Sequence, residues 1–206
     1  MRIAVLGATG QTGRQLVIQS LERGHTVVAL ARSPEKLADI KTPGLEVARA
    51  NVFEPDTVRA AAHGVDALVS GLGVTDGDSG TLQAGARAVR DAGIQRVVWL
   101  GALGTGVTRG AAGPLIDVLM SLFMRKRLPD KVLADELARS SGASVVHAGA
   151  LTNDRGLGGG RLVPVTQVPR RLLPPSIARA DLAALMLDEA TNPRFQGTTA
   201  VALAGP

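Results

Sequence analysis

Three glycines carry the clearest chemical signal. Gly7, Gly10 and Gly13 stand three residues apart in "VLGATGQTG", directly after the apolar run "RIAVL" and at the head of "GRQLVIQSLERG". In a strand–turn–helix, Gly7 permits the tight turn, Gly10 lets the backbone approach a phosphate with no Cβ in the way, and Gly13 allows helix and strand to pack closely. The start of the helix presents free N–H groups and its positive dipole end to an anion. Thr9, Gln11 and Thr12 add side-chain donors beside it. A readable strand before the glycines and a helix after them point to a dinucleotide pyrophosphate rather than to a merely tight turn.

The second apolar strand selects the dinucleotide. A carboxylate about 20 residues past the glycines accepts the ribose 2′-OH of NAD, whereas Arg accommodates the 2′-phosphate of NADP. "VVALARSPEKL" places Ala31, Arg32 and Ser33 there. Arg32 can stack on adenine and pair with the phosphate, Ser33 can donate a hydrogen bond, and Lys36 adds charge. NADP(H) is therefore the expected cofactor. Two further strand ends are expected at it, because ligands of such sheets lie outside the carboxyl ends of the strands. They bring Asn51 and Val52 after the third strand, and Gly71, Leu72 and Gly73 after the fourth.

Strands and helices must alternate to hold these residues. Short runs at 2–6, 26–30, 45–48, 66–70, 96–100, 144–148 and 198–203 are nearly all apolar, as parallel strands covered on both faces are. Between them, 13–24, 55–64, 80–93 and 129–142 have helical period and end in glycine. Leu16, Val17, Ser20 and Leu21 mark the inner face of the first. The expected fold is α/β, a doubly wound parallel sheet in one domain over residues 1–206. "GLGGG" (156–160) reads as a loop inside that domain. "PLIDVLMSLFM" (114–124), followed by "RKR", reads as a buried or lid helix rather than a membrane-surface anchor.

Composition narrows the function classes. The chain has no cysteine, which removes disulfides, thiolate metal sites and a thiol nucleophile and fits the cytoplasm. No leader is expected before the first strand, and no apolar stretch reaches the ~20 residues that span a bilayer. Net charge is +5, yet three Phe, one Trp and no Tyr leave little for stacking on bases, so small anions are preferred to nucleic acid. His25, His63 and His147 are scattered, and no metal site is expected. The oligomeric state is left open, with a monomer compatible.

In order and spacing, "IAVLGATGQTGRQLV", "VVALARSPEKL", "NVFEPDTVRAAAHGVDALVSGLG", "AGARAVRDAGIQRVVWL", "DKVLADELARSSG" and the stretch from "SIARADLAALML" to the end resemble the atypical short-chain dehydrogenase/reductase family. The branch resembled is the small NAD(P)H-binding one that contains biliverdin-IX beta reductase, the flavin reductase. The resemblance implies a Rossmann-type fold and a nicotinamide cofactor. It also implies a Tyr-x-x-x-Lys pair in the better-known members, which a chain without Tyr does not have. Where a Ser or Thr is implied after the fifth strand stand Gly101 and Ala102, and where Arg-Pro is common stand His147 and Ala148. Asn51 replaces a common Asp.

His147 is the acid/base candidate, weighed against a structural histidine that satisfies nearby backbone groups, which is the preferred reading. Lys131 and Asp135 read as an i, i+4 surface pair, with catalysis by Lys131 the minority reading. Residues 176–187 read as structural. The expected activity is hydride transfer from NADPH to a flavin-like or other planar conjugated small-molecule acceptor without a Tyr–Lys pair. The alternative is a non-catalytic NADP(H)-binding redox sensor of the nitrogen-regulator-like type.

Overall fold

Apolar, β-branched runs become the strands of one sheet in the computed structural model, which describes residues 1–73, 80–111, 113, 128–169 and 175–205. The strands are β1 (Arg2–Leu6), β2 (Thr26–Ala31), β3 (Leu45–Arg49), β4 (Ala67–Ser70), β5 (Val97–Ala102), β6 (Ser144–Ala148), β8 (Arg161–Pro164) and β10 (Thr199–Leu203). Their order is β3-β2-β1-β4-β5-β6-β10-β8. The first seven are parallel and β8 runs antiparallel along the edge. Three strands have no counterpart among the runs read in the sequence: β8 at the edge, and two short ones, β7 (Ala150–Thr152) and β9 (Ser176–Ala178), which pair with each other beyond the end of β6. As an edge strand, β3 is largely exposed rather than covered on both faces. The apolar segment 114–124 and the basic triplet after it lie outside the described residues.

Among the described residues five helices cover the sheet: α1 (Gln11–Glu22), α2 (Pro55–Ala61), α3 (Thr81–Asp91), α4 (Leu128–Ser140) and α5 (Arg179–Thr191). Side chains alternate across each strand. Ile3 and Val5 therefore pack with Leu16 of α1 and Leu182 of α5 on one face, while Ala4 and Leu6 join the cluster of Val58, Leu82 and Ala134 from α2, α3 and α4 on the other. A buried carboxylate ties α5 to the sheet: Glu189 accepts hydrogen bonds from Ser144 Oγ at 2.8 Å and from the backbone N–H groups of Arg194 and Phe195. Among the described residues, no helix is long and apolar enough to cross a membrane.

The order reverses at β1. The chain winds outward through β2 and β3, then crosses back to β4, so the loops after β1 and β4 leave in opposite directions and open a crevice at the carboxyl ends of the strands.

Candidate functional site

A cleft of about 600 Å³ fills that crevice and runs from the end of β2 to the loop after β6. Its floor is the glycine loop. Gly7 adopts a φ of +75°, and a side chain there would meet Leu72 Cα at 2.9 Å, so the loops after β1 and β4 touch through backbone alone. A Cβ on Gly13 would fall 2.1 Å from the Gly7 carbonyl oxygen. Gly10 caps α1 in an extended conformation, and Arg14 N–H donates the first helical bond to its carbonyl at 2.8 Å. The amides of Gln11, Thr12 and Gly13 precede that bond and have no partner on the helix. No acidic side chain sits in this first turn. Free amides, a positive dipole end and a floor without Cβ atoms fit a pyrophosphate.

At one end the cleft is bounded by Leu30, Ala31 and Arg32, the last an exposed residue. The turn after Arg32 is tethered to α1. Arg14 donates to the Lys36 carbonyl at 3.0 Å and pairs with Asp39. That guanidinium holds the Asp39 carboxyl below its ordinary range. The tether fixes the path of the chain that presents Arg32 at this end of the cleft.

The opposite wall is β5, where Leu100, Gly101 and Ala102 line the cleft. Behind Gly101 lies a buried polar group. His147 is 1% exposed, and its Nδ1 meets Thr108 Oγ1 at 2.8 Å. Its Nε2 is 3.2 Å from Asp135 Oδ2, and Trp99 Nε1 donates to Asp135 Oδ1 at 3.0 Å. A Cβ on Gly101 would stand 2.3 Å from His147 Cδ2 and 3.0 Å from Asp135 Oδ2. The space that a serine or threonine side chain would occupy is therefore filled from below by the histidine. Gly101→Ala is expected to cost about 1–3 kcal/mol, because both neighbours are held in place and cannot step aside. A lower urea midpoint with unchanged slope would show it; an unaltered midpoint would mean the ring moves freely.

Two cations complete the wall. Lys131, Ala134, Asp135 and Ala138 follow i, i+3, i+4, i+7 spacing on α4, and Ala134, Asp135 and Ala138 are buried. The stripe faces the sheet, so the reading of Lys131 and Asp135 as a surface pair is corrected: Asp135 is inside and Lys131, half-buried, lines the cleft. Asp130 pins the helix by accepting the backbone N–H groups of Leu82 and Gln83, each at 3.2 Å, at the start of α3. Burial lowers the Lys131 ammonium pKa below its ordinary value, opposed by attraction to Asp135 and Asp130. Arg179, the first residue of α5, reaches across to the loop after β6, where its Nη1 donates to the Leu151 carbonyl at 3.1 Å and Asn153 Oδ1 at 2.8 Å. It also lines the cleft, which adds a site role to a segment read as structural.

Of the residues expected at the cofactor, Gly7, Thr9, Gly10, Gln11, Thr12, Arg32, Val52, Gly71, Leu72 and Gly73 come together along this one cleft. Gly13 lies beneath the loop. Ser33 precedes the short helical turn Pro34–Leu37 and is not among the lining residues. Asn51 spends its side chain locally, donating to Glu54 Oε1 at 2.8 Å and accepting Phe53 N–H at 3.2 Å at the entry to α2. His147 stands behind Gly101 and does not line the cleft. Leu100, Ala148, Gly149 and Leu151 line it as well, without a motif that marks them.

Fold and cleft together define a Rossmann-type dinucleotide-binding protein with a mostly parallel, doubly wound sheet. Residues 7–193 match the NAD(P)H-binding family, and the chain belongs to it. It is similar to photosystem II assembly factor Ycf39 of Synechocystis sp., 36% identical over 127 residues, which is 58% of this chain and 37% of that protein. The chain thus spans about a third of the length of that relative. Solved structures share the fold, two full-length matches among them. ChuY, an anaerobillin reductase of Escherichia coli O157:H7, superposes with a TM-score of 0.78 at 20% identity, covering 99% of this chain and 97% of that one. SP1627 of Streptococcus pneumoniae, proposed to be an NADH-flavin reductase, gives a TM-score of 0.80 at 20% identity and 99% coverage of both.

Proposed function

We propose that the protein is a cytoplasmic NADP(H)-dependent reductase that passes a hydride to a planar conjugated acceptor of the flavin kind. The observation that carries this reading is one continuous cleft, with Arg32 at one end, the amides of α1 on its floor and Lys131 beside Gly101 and Ala102 at the other. When bound, the reduced nicotinamide supplies the hydride. The chain supplies the rest. Arg32 takes the 2′-phosphate, the glycine loop takes the pyrophosphate, and Leu72, Leu100 and Ala102 give an apolar wall that excludes water.

Reduction of the acceptor by a hydride also needs one proton. Lys131 is the proton donor in this reading: its ammonium lies in the cleft, and burial has moved it toward an easier release. The Asp135–His147–Thr108 group holds α4 and β6 in register behind it, so His147 is a positioning residue. The ChuY and SP1627 folds support an acceptor of this class, since both names attach reductase chemistry to this architecture.

Arg32→Ala is expected to weaken NADPH binding by about tenfold to a hundredfold, the loss of a charge-assisted hydrogen bond, and to leave NADH nearly as before. Calorimetric titration with both nucleotides checks it, and equal losses would remove the NADP assignment. The reductase reading is tested by NADPH absorbance with a flavin and quinone panel. Acceptor-dependent oxidation proportional to enzyme is the expected result. Tight NADPH binding without turnover across the panel would establish the redox-sensor alternative, which the missing hydroxyl at Gly101 and Ala102 favours.

A further inference from the structure

Arg14 is the fourth residue of α1, directly after the glycine loop, and a helical side chain there leans back toward the N-terminal turn. The amides of that turn are the ones proposed to take the pyrophosphate. One helix therefore carries both those amides and the tether to the chain beyond Arg32.

Strand register makes the two ends of the tether neighbours. β1 and β2 run parallel with Leu6 opposite Leu30, so Gly7 and Ala31 leave the sheet side by side, about 5 Å apart at the usual strand spacing. From Arg32 the chain enters the short turn Pro34–Leu37, which has two anchors. On the inner side Leu37 is buried in the same cluster as Leu16 and Val17 of α1. On the outer side the Arg14 guanidinium uses both arms: Nη1 donates to the Lys36 carbonyl at 3.0 Å, and Nη2 pairs with Asp39. The Lys36 N–H in turn donates to the Ser33 carbonyl at 3.2 Å, which carries the restraint to the residue beside Arg32.

Stability does not account for this arrangement. Asp39 is exposed, and an exposed ion pair contributes little to folding. Fixing a backbone in advance has a different benefit, since a cation held near its place loses less freedom when it meets a phosphate. Arginine suits the task because its planar fork serves a carbonyl and a carboxylate together, whereas lysine offers a single ammonium.

Resting on the NADP(H) reading above, we infer that Arg14 and Asp39 determine cofactor specificity by holding the turn after β2, so that Arg32 stands at a set span from the amides of α1. That span is the one from 2′-phosphate to pyrophosphate. Both terminal nitrogens of Arg14 are engaged by the turn, so it acts through Arg32 and is a positioning residue.

The test is calorimetric titration of the full chain with NADPH and with NADH. Arg14→Lys keeps the charge and loses the fork, and the double variant Arg14→Ala/Asp39→Ala removes the pair with no change in net charge. In each, NADPH affinity is expected to fall about twofold to tenfold, the cost of ordering one long side chain, while NADH affinity stays as in the unaltered protein. In an Arg32→Ala background, Arg14→Lys is expected to change neither affinity.

A preference for NADPH that survives both variants would overturn the inference and leave the NADP reading in place. Equal losses for NADPH and NADH would overturn it as well, since they mark a structural role alone. So would an undiminished effect of Arg14→Lys in the Arg32→Ala background, which would mean that Arg14 acts on the nucleotide without Arg32. Equal affinity of the unaltered protein for the two nucleotides would remove the NADP reading and the inference with it. Should the double variant fail to fold, Arg14→Lys, alone and with Arg32→Ala, still decides the matter.

Discussion

Gly13→Ala is expected to remove cofactor binding and to lower stability by about 3 kcal/mol, the upper range for forcing extra volume into a packed site. The added methyl would lie 2.1 Å from the Gly7 oxygen, 2.7 Å from the Gly7 carbonyl carbon and 2.8 Å from Ala8 Cα. All three are backbone atoms, so relief requires α1 to back away from β1. Gly13 also abuts Gly71, whose own Cβ would be 3.1 Å from Gly13 N, and the displacement would spread to the loop after β4. Gly10→Ala is the informative contrast. Its methyl meets only the Gly7 oxygen, at 3.3 Å, so the protein should fold with near-normal stability and lose nucleotide affinity alone. Urea midpoints and NADPH titrations on both variants separate packing from phosphate approach. An unaltered midpoint for Gly13→Ala would show that the loop is looser than its contacts imply.

The second large effect is expected at Lys131. Replacing the ammonium by an amide in Lys131→Gln removes the proposed proton donor, and loss of a general acid lowers kcat by about a hundredfold to ten-thousandfold. NADPH affinity should change far less, because the phosphate contacts lie at the other end of the cleft. The pH dependence has a definite sign. The protonated lysine is the active form, so the rate of the unaltered enzyme falls as pH rises through the pKa of Lys131. Burial has moved that pKa below the ordinary lysine value, so the fall begins at lower pH than for an exposed lysine. In Lys131→Gln this limb of the profile disappears. If the variant keeps both kcat and the limb, the proton comes from solvent.

The glycine-loop end of the cleft is legible in the sequence because its constraints are local. The spacing of Gly7, Gly10 and Gly13 encodes contacts made within one turn, and the offset from those glycines to Arg32 is fixed by one helix and one strand. The opposite end of the cleft depends on contacts between distant elements. Lys131 and Asp135 fall on an apolar-facing stripe whose other members are alanines, so helical spacing alone gives no sign that a charged pair faces inward. Arg179 follows the three-residue strand β9, whose pairing with β7 leaves almost no sequence pattern. Asn51 sits at the expected strand end but satisfies the turn into α2 with its own side chain, a habit of Asn that competes with ligand binding. At Gly101 the sequence showed the lost hydroxyl. Only the packing shows that His147 occupies its place, so the glycine and the histidine belong together.

The most direct test of hydride transfer from this cleft is a rapid-mixing measurement of NADPH oxidation by FMN, with the nucleotide deuterated at either face of C4. Slower oxidation with deuterium on one face, no slowing with deuterium on the other, and loss of the preference for NADPH over NADH in Arg32→Ala are the expected results. NADPH that binds tightly yet keeps its absorbance with FMN and with every quinone offered would contradict the reductase reading.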